Sequence, residues 1–245
     1  MRAKRSSDFR EYPFLHADEF AETCHQLDRR YRRAALGPLR KQWKLNVISA
    51  LDACFALGPE YSTYVQIVRP ITAAELALDD AGLSAQLGGF SLGAVDEDTA
   101  AHVGADQHMM DLEDADSSAL PSRPTPEELP SVTYEVHLHP TYRVPCLWFS
   151  LRGLPADEPA LDLDTVFRRL VPDQFKERLR TQGPIGAISA DHHPITGLPT
   201  FFIHPCLLGD AMSDFDCSRE DYLMVWLGLV GGCVGLWVPT EMALA

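Results

Sequence analysis

Cys206 closes the segment Thr200-Phe201-Phe202-Ile203-His204-Pro205-Cys206, a short apolar run that carries a thiol to a turn. Pro205 has no N–H to give to a sheet ladder, and residues before a proline are pushed to extended geometry. A strand is therefore expected to stop here and leave the thiol at the rim of a sheet, where a large reaction partner can reach it. A cysteine thiolate is a nucleophile, so acyl transfer is the first chemistry to consider. A cysteine hydrolase built from Cys206, His193 and Asp191 would need a histidine within reach of the sulphur and a third group orienting it. The usual pattern for that site, a cysteine at a helix N-terminus with a remote histidine, is not recognisable. A zinc site from His192, His193, His204 and Cys206 would supply four N/S ligands. Adjacent histidines in an extended segment point to opposite faces, however, and the chain has no Cys-x-x-Cys or His-x-x-x-His pair. No metal is expected.

Four ordered blocks surround the thiol. They are Tyr134-Glu135-Val136-His137-Leu138 with Tyr142-Arg143-Val144-Pro145-Cys146-Leu147-Trp148-Phe149, then Asp191-His192-His193-Pro194-Ile195-Thr196-Gly197-Leu198-Pro199, the Cys206 segment, and Tyr222-Leu223-Met224-Val225-Trp226-Leu227 leading to Val234-Gly235-Leu236-Trp237-Val238-Pro239. In this order the chain resembles the autophagy-related ubiquitin-like-conjugating enzymes, from about Tyr134 to Pro239 and more loosely over an N-terminal helix. The resemblance implies a ubiquitin-conjugating-type fold with Cys206 as the thioester-forming residue. It also implies three protein partners: the activating enzyme (autophagy protein seven), the modifier (autophagy protein twelve) and the acceptor (autophagy protein five). A lipid-conjugating sister, the autophagy protein three type, shares His-Pro-Cys, and a non-catalytic binding module of the same fold is a further alternative. The sister would benefit from an amphipathic N-terminal membrane helix. Here that helix has a narrow apolar stripe, and only ten residues separate Cys206 from Cys217.

Passing an acyl group from a thiol to a lysine requires a neutral amine and donors for the developing oxyanion. Ordinary ubiquitin-conjugating enzymes supply an Asn in a His-Pro-Asn motif, whereas the one Asn of this chain is Asn46, far upstream. Support must come from backbone N–H groups or from Tyr142, His204 or His193. Tyr142 is the first choice because it matches the tyrosine of the family's Tyr-x-Val-Pro-x-Leu block. Asp191 is a candidate acceptor for the lysine proton. No cofactor is needed, since ATP is spent at the activating step.

Six cysteines at irregular spacing and a charged N-terminus point to a reducing, cytoplasmic setting with free thiols. The apolar stretch Leu223 to Val238 is 16 residues long and interrupted by glycines, too short for a membrane helix, which needs about 20. The segment from Ile71 to Pro130 holds 13 acidic residues and one basic one, so it carries −12 of the net −14. That removes a general case for nucleic-acid binding. Residues 72 to 130 are expected to form a long disordered acidic insertion within a single domain spanning 1–245.

The elements that must place Cys206 read as an α+β domain, an antiparallel sheet flanked by helices. Phe20, Cys24, Leu27 and Tyr31 mark one face of a helix from about Asp18 to Leu36, with Asp18 as N-cap and Gly37-Pro38 as stop. Arg29, Arg30, Arg32 and Arg33 on its other sides form either a solvated cationic face or a docking surface for the activating enzyme. Tyr64 to Val68 reads as a strand. Val132 to Leu138 reads as a half-exposed strand with Thr133, Glu135 and His137 outward, joined by His139-Pro140-Thr141 to a second strand over Cys146 to Leu151. A helix with Leu163, Val166, Phe167 and Leu170 inward ends near Pro172, and Phe175 to Arg180 is a second helical piece. A last helix opens at Ser218, with Asp221 three residues on.

Overall fold

The computed structural model describes residues 8–52, 60–72, 129–181 and 188–245. The disorder expected over 72 to 130 falls almost wholly on residues 73–128, which lie outside them. Among the described residues an antiparallel sheet of six strands runs in the order β1-β2-β3-β4-β6-β5. The strands are β1 Lys44–Asp52, β2 Glu60–Pro70, β3 Ser131–Leu138, β4 Pro145–Arg152, β5 Ile188–His192 and β6 Pro199–Ile203. Helices α1 (Ala17–Arg33) and α2 (Leu39–Gln42) precede it; α3 (Leu163–Arg169) and α4 (Asp173–Thr181) lie between β4 and β5. After β6 come α5 (Leu208–Ser213), α6 (Tyr222–Val230) and α7 (Thr240–Ala243). The α+β expectation is met.

α1 buries the expected stripe of Phe20, Cys24, Leu27 and Tyr31 against β1, β2 and α6. Full burial of such apolar side chains contributes about 1.5–3 kcal/mol each. Its ends differ from the expectation. The N-cap is His16 rather than Asp18, and the Glu19 carboxylate accepts the His16 N–H at 3.0 Å. The helix stops at Arg33, before Gly37-Pro38. There the Arg40 guanidinium donates to the carbonyls of Tyr31 and Ala34, both at 3.1 Å, and so satisfies two terminal acceptors.

The β3–β4 hairpin forms as expected, with Leu138 opposite Pro145 at its closed end. The outward face of β3 is not solvent-exposed, however. Thr133 and His137 are buried, because His137 stacks on Tyr64 of β2 at 4.4 Å and meets His193 edge-on at 5.2 Å. β1 and β5 were not anticipated. α3 buries Thr165, Val166, Phe167 and Arg169, while Leu163, expected inward, is exposed. Arg169 is satisfied there by the Glu158 carboxylate. α6 begins at Tyr222, not Ser218; residues 218–221 form a turn in which the Ser218 hydroxyl donates to the Asp221 carboxylate at 2.9 Å. Gly231 follows α6 at a place where a Cβ would collide with the Leu236 carbonyl.

The segment before α1 ties both ends of the site together. The Tyr12 hydroxyl lies 2.7 Å from the carbonyls of Met212 and Phe215, just beyond Cys206. The Leu15 N–H donates to the Arg143 carbonyl at 2.7 Å, in the β3–β4 turn. The buried Tyr222 hydroxyl donates to the Pro13 carbonyl at 2.6 Å. Tyr222→Phe keeps the ring but leaves that carbonyl buried and unpaired. It is expected to cost about 1–3 kcal/mol in urea denaturation.

Candidate functional site

β6 delivers the thiol. Phe201, Phe202 and Ile203 pair with Phe149, Trp148 and Leu147 of β4, and the strand stops at Ile203. His204 stays extended, and Pro205 opens a 3₁₀ turn over Pro205–Leu207. Cys206 sits in that turn, partly exposed. Its N–H donates to His204 Nδ1 at 3.2 Å. Gly209, one turn on, lets the Phe14 ring approach; a Cβ there would sit 3.0 Å from it.

The β3–β4 turn forms the opposite wall. His139 Nδ1 accepts the N–H groups of Thr141 and Tyr142, both at 3.2 Å. Arg143 takes a left-handed φ of 54°, and its guanidinium donates to Glu11 at 2.8 Å. These contacts bring the Tyr142 ring to 4.8 Å from His139 and, edge-on, to 5.4 Å from His204. Tyr142, at 38% exposure, stays open to a ligand. Burial, and then the nearby His204, lower the pKa of His139 below its ordinary value.

Tyr142 and His204 thus gather at Cys206, and His193 and Asp191 are placed elsewhere. Asp191 pairs with Thr200, at the far end of β6 from the thiol, and its carboxylate accepts the His192 N–H at 2.7 Å. His193 is buried beyond that pair and bonds Glu135 at 2.7 Å. Asp191 and His193 therefore have their bonds to other partners, and the hydrolase grouping does not assemble. Of the four arginines, Arg29, Arg32 and Arg33 are exposed, while Arg30 turns in to Asp221 at 2.7 Å. The other described cysteines are poor nucleophiles. Burial pushes Cys146 up to about 12 and Cys233 up to about 11, and raises Cys24 and Cys217 as well.

The family described as "Autophagocytosis associated protein, active-site domain" matches residues 19–241, a span that includes Tyr142, His204 and Cys206. This chain belongs to that family. Over 235 residues it is 58% identical to the ubiquitin-like-conjugating enzyme ATG10 of Gibberella zeae, which spans 95% of this chain and 97% of that protein. The ubiquitin-like-conjugating enzyme ATG10 of Homo sapiens is 34% identical over 122 residues, 46% of this chain and 54% of that protein. The Arabidopsis thaliana protein of the same name is 32% identical over 120 residues, 44% and 52% of the two chains. Membership in the autophagocytosis-associated family weighs against both the hydrolase and the binding-module alternatives.

One residue that sequence reasoning missed, Glu135, organises the sheet face behind the site. Its carboxylate accepts from Gln66 at 2.9 Å, His137 at 3.1 Å and His193 at 2.7 Å. Among the described residues, Glu135, His137 and His193 are the group whose donor atoms lie close enough for a metal. Their hydrogen bonding does not fit one. His193 Nδ1 accepts the N–H groups of Ile195 and Thr196, so the proton sits on Nε2, the nitrogen a metal would need. Burial opposes ionisation of Glu135, yet the bonds from His137, His193 and Gln66 outweigh it and hold the carboxyl far below the usual carboxylate range. A carboxylate depressed on folding adds stability above its ordinary pKa and loses it as the pH falls. The stability advantage of the native chain over Glu135→Gln is therefore expected to shrink below pH 4.5, the ordinary value for this group, in urea titrations at stepped pH.

Proposed function

We propose that this chain is a ubiquitin-like-conjugating enzyme of autophagy that carries its modifier as a thioester on Cys206. In this reading the modifier is autophagy protein twelve, received from the activating enzyme autophagy protein seven and passed to a lysine of autophagy protein five. One observation carries the assignment. The partly exposed thiol of Cys206 lies in the turn just after β6, next to His204 and the Tyr142 ring that packs on it, within a chain that aligns almost end to end with a conjugating enzyme. The rim position leaves space for a protein donor on loading and a protein acceptor on discharge.

Loading is a transthioesterification in which the Cys206 thiolate displaces the activating enzyme's thiolate at the modifier's C-terminal carbonyl. Discharge is aminolysis by a lysine. Tyr142 and His204 are the supporting groups; Asp191 and His193 have a weaker claim, since they lie at the far end of β6. The sheet and its helices support the ubiquitin-conjugating-type fold implied by the resemblance. Arg29, Arg32 and Arg33 offer a cationic face to an acidic patch on the activating enzyme, while Arg30 joins α1 to α6. The reading needs no metal or organic cofactor and places the enzyme in the cytoplasm; among the described residues no helix is long and apolar enough to cross a membrane.

A charging assay with modifier, activating enzyme and ATP tests this. A reductant-sensitive adduct is expected on the native chain, none on Cys206→Ala, and a reductant-resistant oxyester on Cys206→Ser. An adduct that survives Cys206→Ala would overturn the assignment. We also read residues 1–245 as one conjugating domain that 72–130 interrupts. Pro70 pairs with Ser131, and the Ile71 N–H donates to the Pro130 carbonyl at 2.7 Å, so the chain leaves and re-enters at one point. Replacing 73–128 with a short Gly/Ser turn is expected to preserve thioester loading; a folded deletion variant unable to load would refute the insertion reading.

A further inference from the structure

The chain contains three His-Pro dipeptides at described positions, and all three build the same local device. His139 Nδ1 accepts from Thr141 and Tyr142, His193 Nδ1 from Ile195 and Thr196, and His204 Nδ1 from Cys206, each at 3.2 Å. The intervening proline has no N–H, so the imidazole captures the next donors along, as an Asn or Asp side chain does in an Asx turn. A ring nitrogen that accepts from backbone N–H cannot itself carry a proton. Each neutral imidazole thereby keeps its proton on Nε2. His193 spends that N–H on Glu135. For His139, no acceptor among the described residues takes it.

His139 also lies on the reacting side of the molecule. Tyr142 is flanked by His139 and His204, and His204 holds the Cys206 N–H. The two histidines are near enough for the charge of one to disfavour that of the other. Deriving from the thioester role proposed above, we infer that His139 is a catalytic donor, its Nε2–H hydrogen-bonding the thioester carbonyl oxygen as negative charge develops there. The acceptor nitrogen attacks the carbonyl carbon, and the C=O pair moves to oxygen. Collapse of the tetrahedral adduct restores C=O and breaks C–S; Cys206 leaves as thiolate and the amine proton passes to solvent. His139 donates a hydrogen bond throughout and transfers no proton. It has no lone pair to act as base, because Nδ1 is committed to the turn.

His139→Asn separates this role from a structural one, since Asn Oδ1 can still accept the turn N–H groups but offers no donor in the place of Nε2. The Cys206 thioester is formed with modifier, activating enzyme and ATP, then chased with excess acceptor protein under single-turnover conditions. Once charged, His139→Asn is expected to discharge roughly a hundredfold more slowly than the native chain, the scale of a lost oxyanion donor. His139→Ala, which loses the turn as well, should be slower still or less stable. Discharge of His139→Asn at the native rate would overturn the proposal and leave the ring a turn-former only. Nitrogen NMR of the ring in the native chain is an independent test: a proton on Nε2 at neutral pH is expected, and one on Nδ1 would also overturn the proposal. Failure of the native chain to form any thioester would instead remove the conjugating role itself, and this inference with it.

Discussion

Everything at the site depends on two pieces of backbone, far apart in sequence, being held against each other by a third. The β3–β4 turn presents His139 and Tyr142, and the end of β6 presents His204 and Cys206. β6 meets β4 through only three residue pairs, so strand pairing alone fixes their relation weakly. The segment ahead of α1 supplies the rest. Leu15 and Glu11 hold the turn through Arg143, Tyr12 holds the chain beyond the thiol, and Phe14 packs on Gly209. A clamp of this kind needs little buried area, because most of its contacts are hydrogen bonds, three of them to backbone carbonyls of Arg143, Met212 and Phe215. It also makes the geometry of the thiol a long-range property of the fold.

Glu135 plays a comparable part on the other sheet face. It joins β2 through Gln66, its own strand through His137, and the β5–β6 turn through His193. Trp148 packs edge-on against His193 and stacks on Phe202, so this polar cluster bears on β6 from behind. A buried carboxylate is costly unless its bonds are complete, and here three donors complete them.

Much of this was legible in the sequence, and what was missed has physical causes. The β3–β4 hairpin, the α1 stripe and the stop at Pro205 follow from periodicity and proline chemistry, and the structure has all three. The edge strand β1 escaped because Asn46, Ser49 and Ala50 dilute its alternation; it has a sheet neighbour on one side only, so packing demands less of its residues. β5, the other edge, reads Ile-Ser-Ala-Asp-His and is polar for the same reason. The start of α1 was misplaced because histidine is not among the favoured N-caps, though Glu19 three residues on was a usable signal. The outward face of β3 was misjudged because polar side chains were equated with exposure. Glu135 and His137 satisfy each other and their neighbours, leaving no periodic apolar trace. His139 went unnoticed as a site residue because the role proposed for it rests on which ring nitrogen carries the proton, and no sequence pattern reports that.

The histidine turns have a further consequence for selectivity among nucleophiles. A high-energy acyl bond surrounded by water survives only if nothing nearby helps water to attack. Water is a weak nucleophile and needs a base in the transition state, whereas a neutral amine does not. The His139 and His204 imidazoles have given their Nδ1 lone pairs to backbone N–H groups, so neither can accept a proton from water without dismantling its own turn. In the proposed thioester role they would still stabilise charge on the carbonyl oxygen. A site with donors but no free imidazole base would favour amines over water and let a charged enzyme wait for its acceptor.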